Sequence, residues 1–356
     1  MKTKLLEELS KYDKKIKNPN LYIWGVGNTL SLYREGLLRL EDEGIIIQGY
    51  VDGNPQKWGT DIYGKKVMSP DELFKLEHIL VLITSPQPNV FQEVSALLDE
   101  RGVDYLHIDY FIFATHNNEI CEAIDSLSDD ESKRVYINLL NCRMRGEYPS
   151  EEVMEKGIPY FSFGHFSEIN KNEVFVDCGA YVGDSIERYI WSRSGMFKSL
   201  YAFEPDQMNI KALNYRMERL KREWNIADEK VNIINAAISN KRSRAYWESY
   251  GESNGLGSKV VESGNHEDEI LTVTIDETIK EKYSFLKADI ESFEYKCLLG
   301  AEKSIRANKP KLAICIYHNA VDFYSVLLLL KSFRNDYKFS IRHYSLSTED
   351  TILYAY

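Results

Sequence analysis

Between Asp177 and Asp184 the chain reads Asp-Cys-Gly-Ala-Tyr-Val-Gly-Asp, an acid followed by two glycines with three residues between them. A pyrophosphate is bound by bare amides at a helix N-terminus with no carboxylate beside them. An acid in this place favours a cationic ligand instead, and S-adenosylmethionine, with its ammonium and sulfonium, meets that requirement. Asp177, Cys178, Gly179, Ala180, Tyr181, Gly183 and Asp184 are then the candidate cofactor-binding turn. Glu204, with Pro205 behind it, ends the next apolar strand, where it can accept from both ribose hydroxyls. Asn235 and Ala236 end a third strand and are small enough to lie under an adenine.

Methyl transfer from a sulfonium is an in-line displacement, so alignment of the acceptor oxygen supplies much of the acceleration, while the acceptor hydroxyl must also lose a proton. Asp289, Glu291 and His318 follow the fourth and fifth apolar strands and are the candidate catalytic residues. His318 is the expected base, because imidazole titrates near neutrality without a large shift. Asp289 is expected to orient the methionine end of the cofactor or the acceptor, and Glu291 to bond a sugar hydroxyl. No metal is assigned. The alternative, that these three side chains hold a divalent cation polarising the acceptor, rests on the same residues. The polar loop Gly251–Ser258 can serve as a lid or be an ordinary exposed loop.

The elements that must position these groups repeat one grammar: apolar strand, glycine turn, helix, strand ending in an acid. The first copy runs from Leu21-Tyr22-Ile23-Trp24 through Gly25-Val26-Gly27 and a helix near Leu30–Asp42 to a strand closing at Asp52. Strands at Ile79–Thr84 and Tyr105–Ile108, around a helix at Val90–Arg101, extend it. The second copy starts at Val174 and ends in two strands, Tyr337–Tyr344 and Thr351–Tyr356, joined by a short polar turn that makes them antiparallel. The spacing therefore predicts an α/β protein of two Rossmann-like domains: residues 1–110, a helical connector over 111–172, and 173–356. The last is expected as a seven-stranded class I methyltransferase sheet with a reversed last strand. The connector opens at Asp129-Asp130-Glu131-Ser132 and closes in an aromatic stretch, Ile158-Pro159-Tyr160-Phe161-Ser162-Phe163-Gly164-His165-Phe166, that reads as packing against the second domain, the alternative being a stack for a ligand.

Residues from about Asn172 to Tyr356 resemble the FkbM family of S-adenosylmethionine-dependent methyltransferases. The resemblance is carried by Val174–Asp184, Ala202-Phe203-Glu204-Pro205-Asp206, Asn235–Ser239, Val273–Asp276, Leu286–Glu291, Leu299-Gly300-Ala301 and Tyr317-His318. It implies O-methylation of hydroxyls on sugars, glycans or natural products. One departure stands out: the family usually has glycine after the Asp-x-Glu, and here Ser292-Phe293 follow. Either the backbone there needs no positive φ, or the mouth of the site is narrower and the substrate differs. Residues 18–110, with Gly49–Pro55, Tyr63–Val67 and Ser69–Leu73, resemble the small Rossmann-like domain at the front of bacterial sugar acyltransferases. Gly25, Gly27 and Asp52 could there hold a nucleotide-sugar, or the turn could be scaffold; the third glycine of the dinucleotide fingerprint is replaced by Leu30.

Composition bounds these readings. The chain has 356 residues, with 44 Lys+Arg against 55 Asp+Glu and a formal net charge of -11, which argues against a nucleic-acid binder or an anionic-membrane binder. No apolar run approaches the roughly 20 residues of a membrane span, and the charged start lacks a signal-peptide core, so a cytoplasmic protein is expected. Five scattered cysteines form no C-x-x-C pair and read as reduced thiols. The 24 tyrosines fit a biased source or aromatic platforms for a sugar. The expected function is an O-methyltransferase acting on a sugar, glycan or polysaccharide precursor. The alternative is a non-catalytic protein of two Rossmann domains that binds a nucleotide-sugar and regulates.

Overall fold

Both apolar grammars fold as parallel sheets. The structure is a computed structural model, and it describes residues 2–11, 19–85, 87–248, 259–261 and 269–356; the expected lid Gly251–Ser258 lies outside the described residues. The chain forms two compact units. The first comprises Met1–Met154, Tyr317–Tyr324 and Ser345–Glu349, and the second Glu155–Ile316, Ser325–Tyr344 and Asp350–Tyr356.

In the first unit, α1 (Lys2–Ser10) precedes β1 (Asn20–Trp24), α2 (Asn28–Asp42) and β2 (Ile47–Val51). A short hairpin of β3 (Asp61–Ile62) and β4 (Lys65–Met68) follows, then α3 (Pro70–Leu73), β5 (Ile79–Ile83), α4 (Pro88–Glu100) and β6 (Asp104–His107). The sheet order is β3-β4-β2-β1-β5-β6, so the first glycine turn leaves the strand on which the sheet switches direction. β5, Ile-Leu-Val-Leu-Ile, is buried throughout, as a parallel strand covered on both faces must be. The hairpin is not part of the expected pattern: Tyr63 (φ 50°) and Gly64 (φ 78°) make its turn, and a two-residue β3 against a four-residue β4 carries no readable alternation.

Three helices of the expected connector, α5 (Ile108–Thr115), α6 (Asn117–Ser126) and α7 (Asp130–Arg145), complete this unit. α7 is capped at its start by Asp129, whose carboxylate accepts from the Ser132 amide at 2.7 Å, and ends at Gly146 in the left-handed region. Side chains of this unit also grip its late segment. Arg143 pairs with Asp109 at 2.6 Å and donates to the Tyr317 carbonyl at 2.9 Å. Arg39 pairs with the fully buried Asp322 at 2.7 Å, and the Tyr136 hydroxyl donates to the Phe323 carbonyl at 3.0 Å.

The second unit begins with the aromatic stretch. Phe161 and Phe166 lie fully buried against Phe175, Phe285 and Tyr354, with ring centroids 4.7–6.0 Å apart. Each such ring contributes about 2–3 kcal/mol of burial to the unit. Then come β7 (Val174–Cys178), α8 (Asp184–Ser192), β8 (Ser199–Phe203), α9 (Gln207–Trp224) and β9 (Val231–Ile234). A small sheet follows, of β10 (Ala237–Ile238), β11 (Ser243–Glu248), β12 (Lys259–Val261) and β13 (Glu269–Val273), ordered β10-β13-β11-β12. The chain continues through α10 (Ile275–Thr278), β14 (Phe285–Ala288), α11 (Glu294–Leu299), α12 (Glu302–Asn308) and β15 (Lys311–Cys315). α13 (Ala320–Phe333), β16 (Phe339–His343) and β17 (Thr351–Ala355) follow, α13 starting in the first unit and continuing in the second.

The main sheet has seven strands in the order β16-β17-β15-β14-β7-β8-β9. β7, β8, β9, β14 and β15 pair in parallel, while β17 runs antiparallel to both β15 and β16. The reversed strand expected from the sequence is therefore present. Strand order reverses between β7 and β14, which puts the ligand crevice of this sheet type outside their carboxyl ends.

Candidate active site

At the carboxyl end of β7 the backbone must turn sharply and pass close to the end of β14. Gly179 has φ 81°, and a Cβ placed on it would lie 2.0 Å from the Asp289 carbonyl oxygen. Only glycine fits there. The Asp289 amide donates to the Cys178 carbonyl at 3.1 Å, and the amides of Gly179 and Ala180 both donate to the Phe203 carbonyl, at 3.1 and 3.0 Å. The turn is thus bonded to the strands on both sides. Gly183, with φ 84°, caps α8, where a Cβ would meet Leu213 Cδ1 at 2.6 Å.

The acids of the site fare differently from one another. Asp177 is fully buried; it pairs with Lys287 at 2.9 Å and accepts from the Ser185 hydroxyl. The expectation that its charge attracts the cofactor's ammonium is corrected by this pairing, because Lys287 already neutralises it inside the protein. Burial pushes the Asp177 carboxyl upward, opposed by the Lys287 ammonium and the Ser185 bond. For Lys287 burial pulls downward, but Asp177 and Asp289 outweigh it and hold the ammonium above its ordinary value. Lys287 Nζ also donates to the Gly179 carbonyl at 2.8 Å, so one buried lysine links β14 to the turn. Cys178 turns its thiol into the core, 4.0 Å from Cys297 Sγ, and presents only backbone to the turn; both are free thiols.

Glu204 is bonded to the same turn. Its carboxylate accepts from the amides of Tyr181 (2.9 Å) and Asp206 (3.0 Å) and from the Asn209 side chain (3.2 Å). Burial raises its pKa against those bonds. Asn235 donates to the carbonyls of Glu204 (3.0 Å) and Pro205 (2.9 Å) and accepts from Gln207, so it ties β9 to the loop after β8. Ala236 is buried beside it. Asp184 is the first residue of α8, half exposed and 4.0 Å from Arg188.

Asp289 accepts at Oδ2 from the Tyr160 hydroxyl at 2.9 Å. Tyr160, from the aromatic stretch, is itself held with φ 70°, its amide donating to the Tyr354 hydroxyl at 3.1 Å and its hydroxyl 3.4 Å from Cys315 Sγ. Beyond Asp289 the chain enters the left-handed region twice, at Glu291 (φ 53°) and Ser292 (φ 76°). The first of the two options for the missing glycine is thereby overturned: the backbone does need positive φ, and a serine adopts it. His318 is buried in the first unit's late segment, its ring 4.1 Å from that of Tyr317.

Two residues of this site escaped sequence reasoning. Lys287 carried a signal, a lysine inside the apolar run Phe285-Leu286-Lys287-Ala288. Tyr160 carried none, since its partner lies 129 positions away.

In the first unit, Gly25 leaves β1 with φ 106°, and Asp52 closes on the turn itself. Its carboxylate accepts from the amides of Val26 (2.9 Å) and Asn54 (2.8 Å) and pairs with Lys57 at 3.0 Å. Burial pushes the Asp52 pKa up, but these bonds prevail and lower it. Gly27 is the extended cap residue of α2. Among the described residues no helix is long and apolar enough to cross a membrane.

Comparison with known proteins bears on both units. Residues 177–339 match the family described as methyltransferase FkbM domain, and residues 17–108 match that described as C2185-like, N-terminal. No curated protein sequence matches the chain. Among solved structures, the methyltransferase FkbM from Methylobacillus flagellatus KT is 21% identical at a TM-score of 0.61, covering 99% of this chain and 98% of that one. The likeness shows that the fold of the whole chain is shared. An rRNA methylase from Streptococcus thermophilus (15% identity, TM-score 0.33) covers 52% of this chain and 87% of its own. A Streptococcus mutans protein in complex with SAH (14% identity, TM-score 0.33) covers 52% and 90%. The match at residues 177–339 runs from the end of β7 and its glycine turn to the start of β16, and over that part the chain is similar to a methyltransferase FkbM domain.

Proposed function

We propose that the chain is an S-adenosylmethionine-dependent O-methyltransferase acting on a hydroxyl of a sugar, glycan or polysaccharide precursor. The observation that carries the reading is the cradle at the end of β7: a Cβ-free Gly179 against the Asp289 carbonyl, bonded on both sides and closed by Glu204. A side chain at position 179 would collide with the Asp289 carbonyl and push the ends of β7 and β14 apart. In this reading Glu204 takes the ribose hydroxyls and Asn235 and Ala236 lie under the adenine; the amides of Gly179, Ala180, Tyr181 and Gly183 are bonded within the protein, so the turn offers the cofactor a close backbone surface and not those donors. When bound, the cofactor supplies an electrophilic methyl group for in-line transfer to oxygen.

The chain's own residues do the rest. Asp289, part exposed and oriented by Tyr160, receives the cation that Asp177, paired with Lys287, does not. His318 takes the proton of the acceptor hydroxyl and Glu291 bonds a neighbouring hydroxyl, holding the acceptor in line. The reading assigns no ligand to the first unit, whose Asp52 is bonded to its own turn. Calorimetry with S-adenosylmethionine, followed by methyl-release assays over a panel of sugar acceptors, tests it. Binding heat together with turnover that is lost in His318→Ala is expected; absence of any binding heat refutes it.

A further inference from the structure

Resting on the cofactor reading above, we propose that Tyr160 is a positioning residue that fixes the Asp289 carboxylate for the ammonium of the cofactor's methionine end. The argument begins with strain. An aromatic residue at φ 70° costs on the order of 1–3 kcal/mol and persists only where its surroundings dictate it. Here they do: the Tyr160 amide is bonded to the Tyr354 hydroxyl, the residue is 5% exposed, and its ring lies 5.8 Å from that of Phe161 and 5.5 Å from Lys287 Nζ. The left-handed turn brings the hydroxyl to Asp289 Oδ2 at 2.9 Å, and Cys315 Sγ lies 3.4 Å from the Tyr160 hydroxyl oxygen.

Two other acids of the site are held by protein partners. Asp177 is fully buried and neutralised by Lys287, and Glu204 accepts from Tyr181, Asp206 and Asn209. Asp289 is part-exposed, as is Glu291, and it is the one at the strand-order reversal that receives the Tyr160 hydroxyl, on the backbone against which Gly179 packs. A hydrogen bond from a buried phenol to one carboxylate oxygen sets the rotamer and leaves the carboxylate pre-arranged for a cation. Tyr160 touches neither cofactor nor acceptor in this scheme and acts through Asp289.

Calorimetry on full-length Tyr160→Phe with two probes separates this role from a structural one. S-adenosylhomocysteine carries the ammonium; methylthioadenosine shares the adenosine but lacks it. Expected is a loss of about tenfold in affinity for S-adenosylhomocysteine, an unchanged affinity for methylthioadenosine and an unchanged unfolding midpoint. Asp289→Asn should show the same selective loss, and adding Tyr160→Phe to it should change nothing further. Wild-type protein that binds both probes while Tyr160→Phe weakens them equally, or weakens neither, overturns this inference alone. Wild-type protein that binds neither overturns the cofactor reading and this inference with it.

Discussion

Replacing Lys287 by Met removes one partner of an ion pair whose side chains are 3% and 0% exposed. At the observed 2.9 Å the attraction is about 6 kcal/mol for an effective dielectric of about 20. Part of that offsets the desolvation of both groups, so the net loss expected on stranding the Asp177 carboxylate is about 3–5 kcal/mol. The Gly179 carbonyl loses its donor as well. The second unit should then melt roughly 10 °C lower. Native-state amide exchange in β7 and β14 under increasing urea reads the unit directly. The deficit should have a definite pH sign. A buried carboxyl with a raised pKa is protonated more readily in the folded chain than in the unfolded one, so the variant loses most stability well above that pKa and recovers as pH falls through it. Asp177→Asn combined with Lys287→Met leaves no charge to strand and should regain most of the loss. A Lys287→Met loss below about 1 kcal/mol, or a double variant no more stable than the single one, would refute the pairing argument.

Gly179→Ala should cost about 2–5 kcal/mol, from the left-handed backbone and the 2.0 Å approach to Asp289, and should abolish S-adenosylhomocysteine binding in calorimetry. Ser292→Gly should stabilise the second unit by up to about 1 kcal/mol, relief of left-handed strain exceeding the added chain entropy, whereas Ser292→Val should destabilise it; urea midpoints decide. Asp52 has a lowered pKa, so the stability it contributes is present above its unfolded value near 4 and is lost as pH falls through the folded one. Asp52→Asn should flatten the acid limb of stability, read by amide exchange in β1 and β2.

The sheets were legible because buried parallel strands are written as continuous apolar runs bounded by glycine and acid, and the reversed β17 followed from a short polar turn. What those strands carry at their ends was legible as a set of residue types and not as a set of roles. Asp177 reads as a cation receptor until Lys287, 110 positions away, is seen to pair with it. Ser292 gives no sign of a left-handed backbone, since a serine that tolerates one looks like any other. Tyr160 reads as core packing, which its ring does, while its hydroxyl serves a carboxylate from another strand. Of the small sheet, β10 and β12 have two and three residues and leave no period to count, while the six-residue β11 and five-residue β13 are long enough to read but open or close on charged residues.

The late segments of the first unit bear on how the chain is made. Arg143 finds the Tyr317 carbonyl and Arg39 finds the buried Asp322, and neither partner exists until the polypeptide is nearly finished. Amino-terminal domains ordinarily fold first as they leave the ribosome. Here the second unit's β7, β8, β9, β14 and β15 are all synthesised before the first unit can close its last ion pair. A fragment ending at Met154 would leave Arg39 without Asp322 and Arg143 without the Tyr317 carbonyl, with Asp109 as the remaining partner of Arg143.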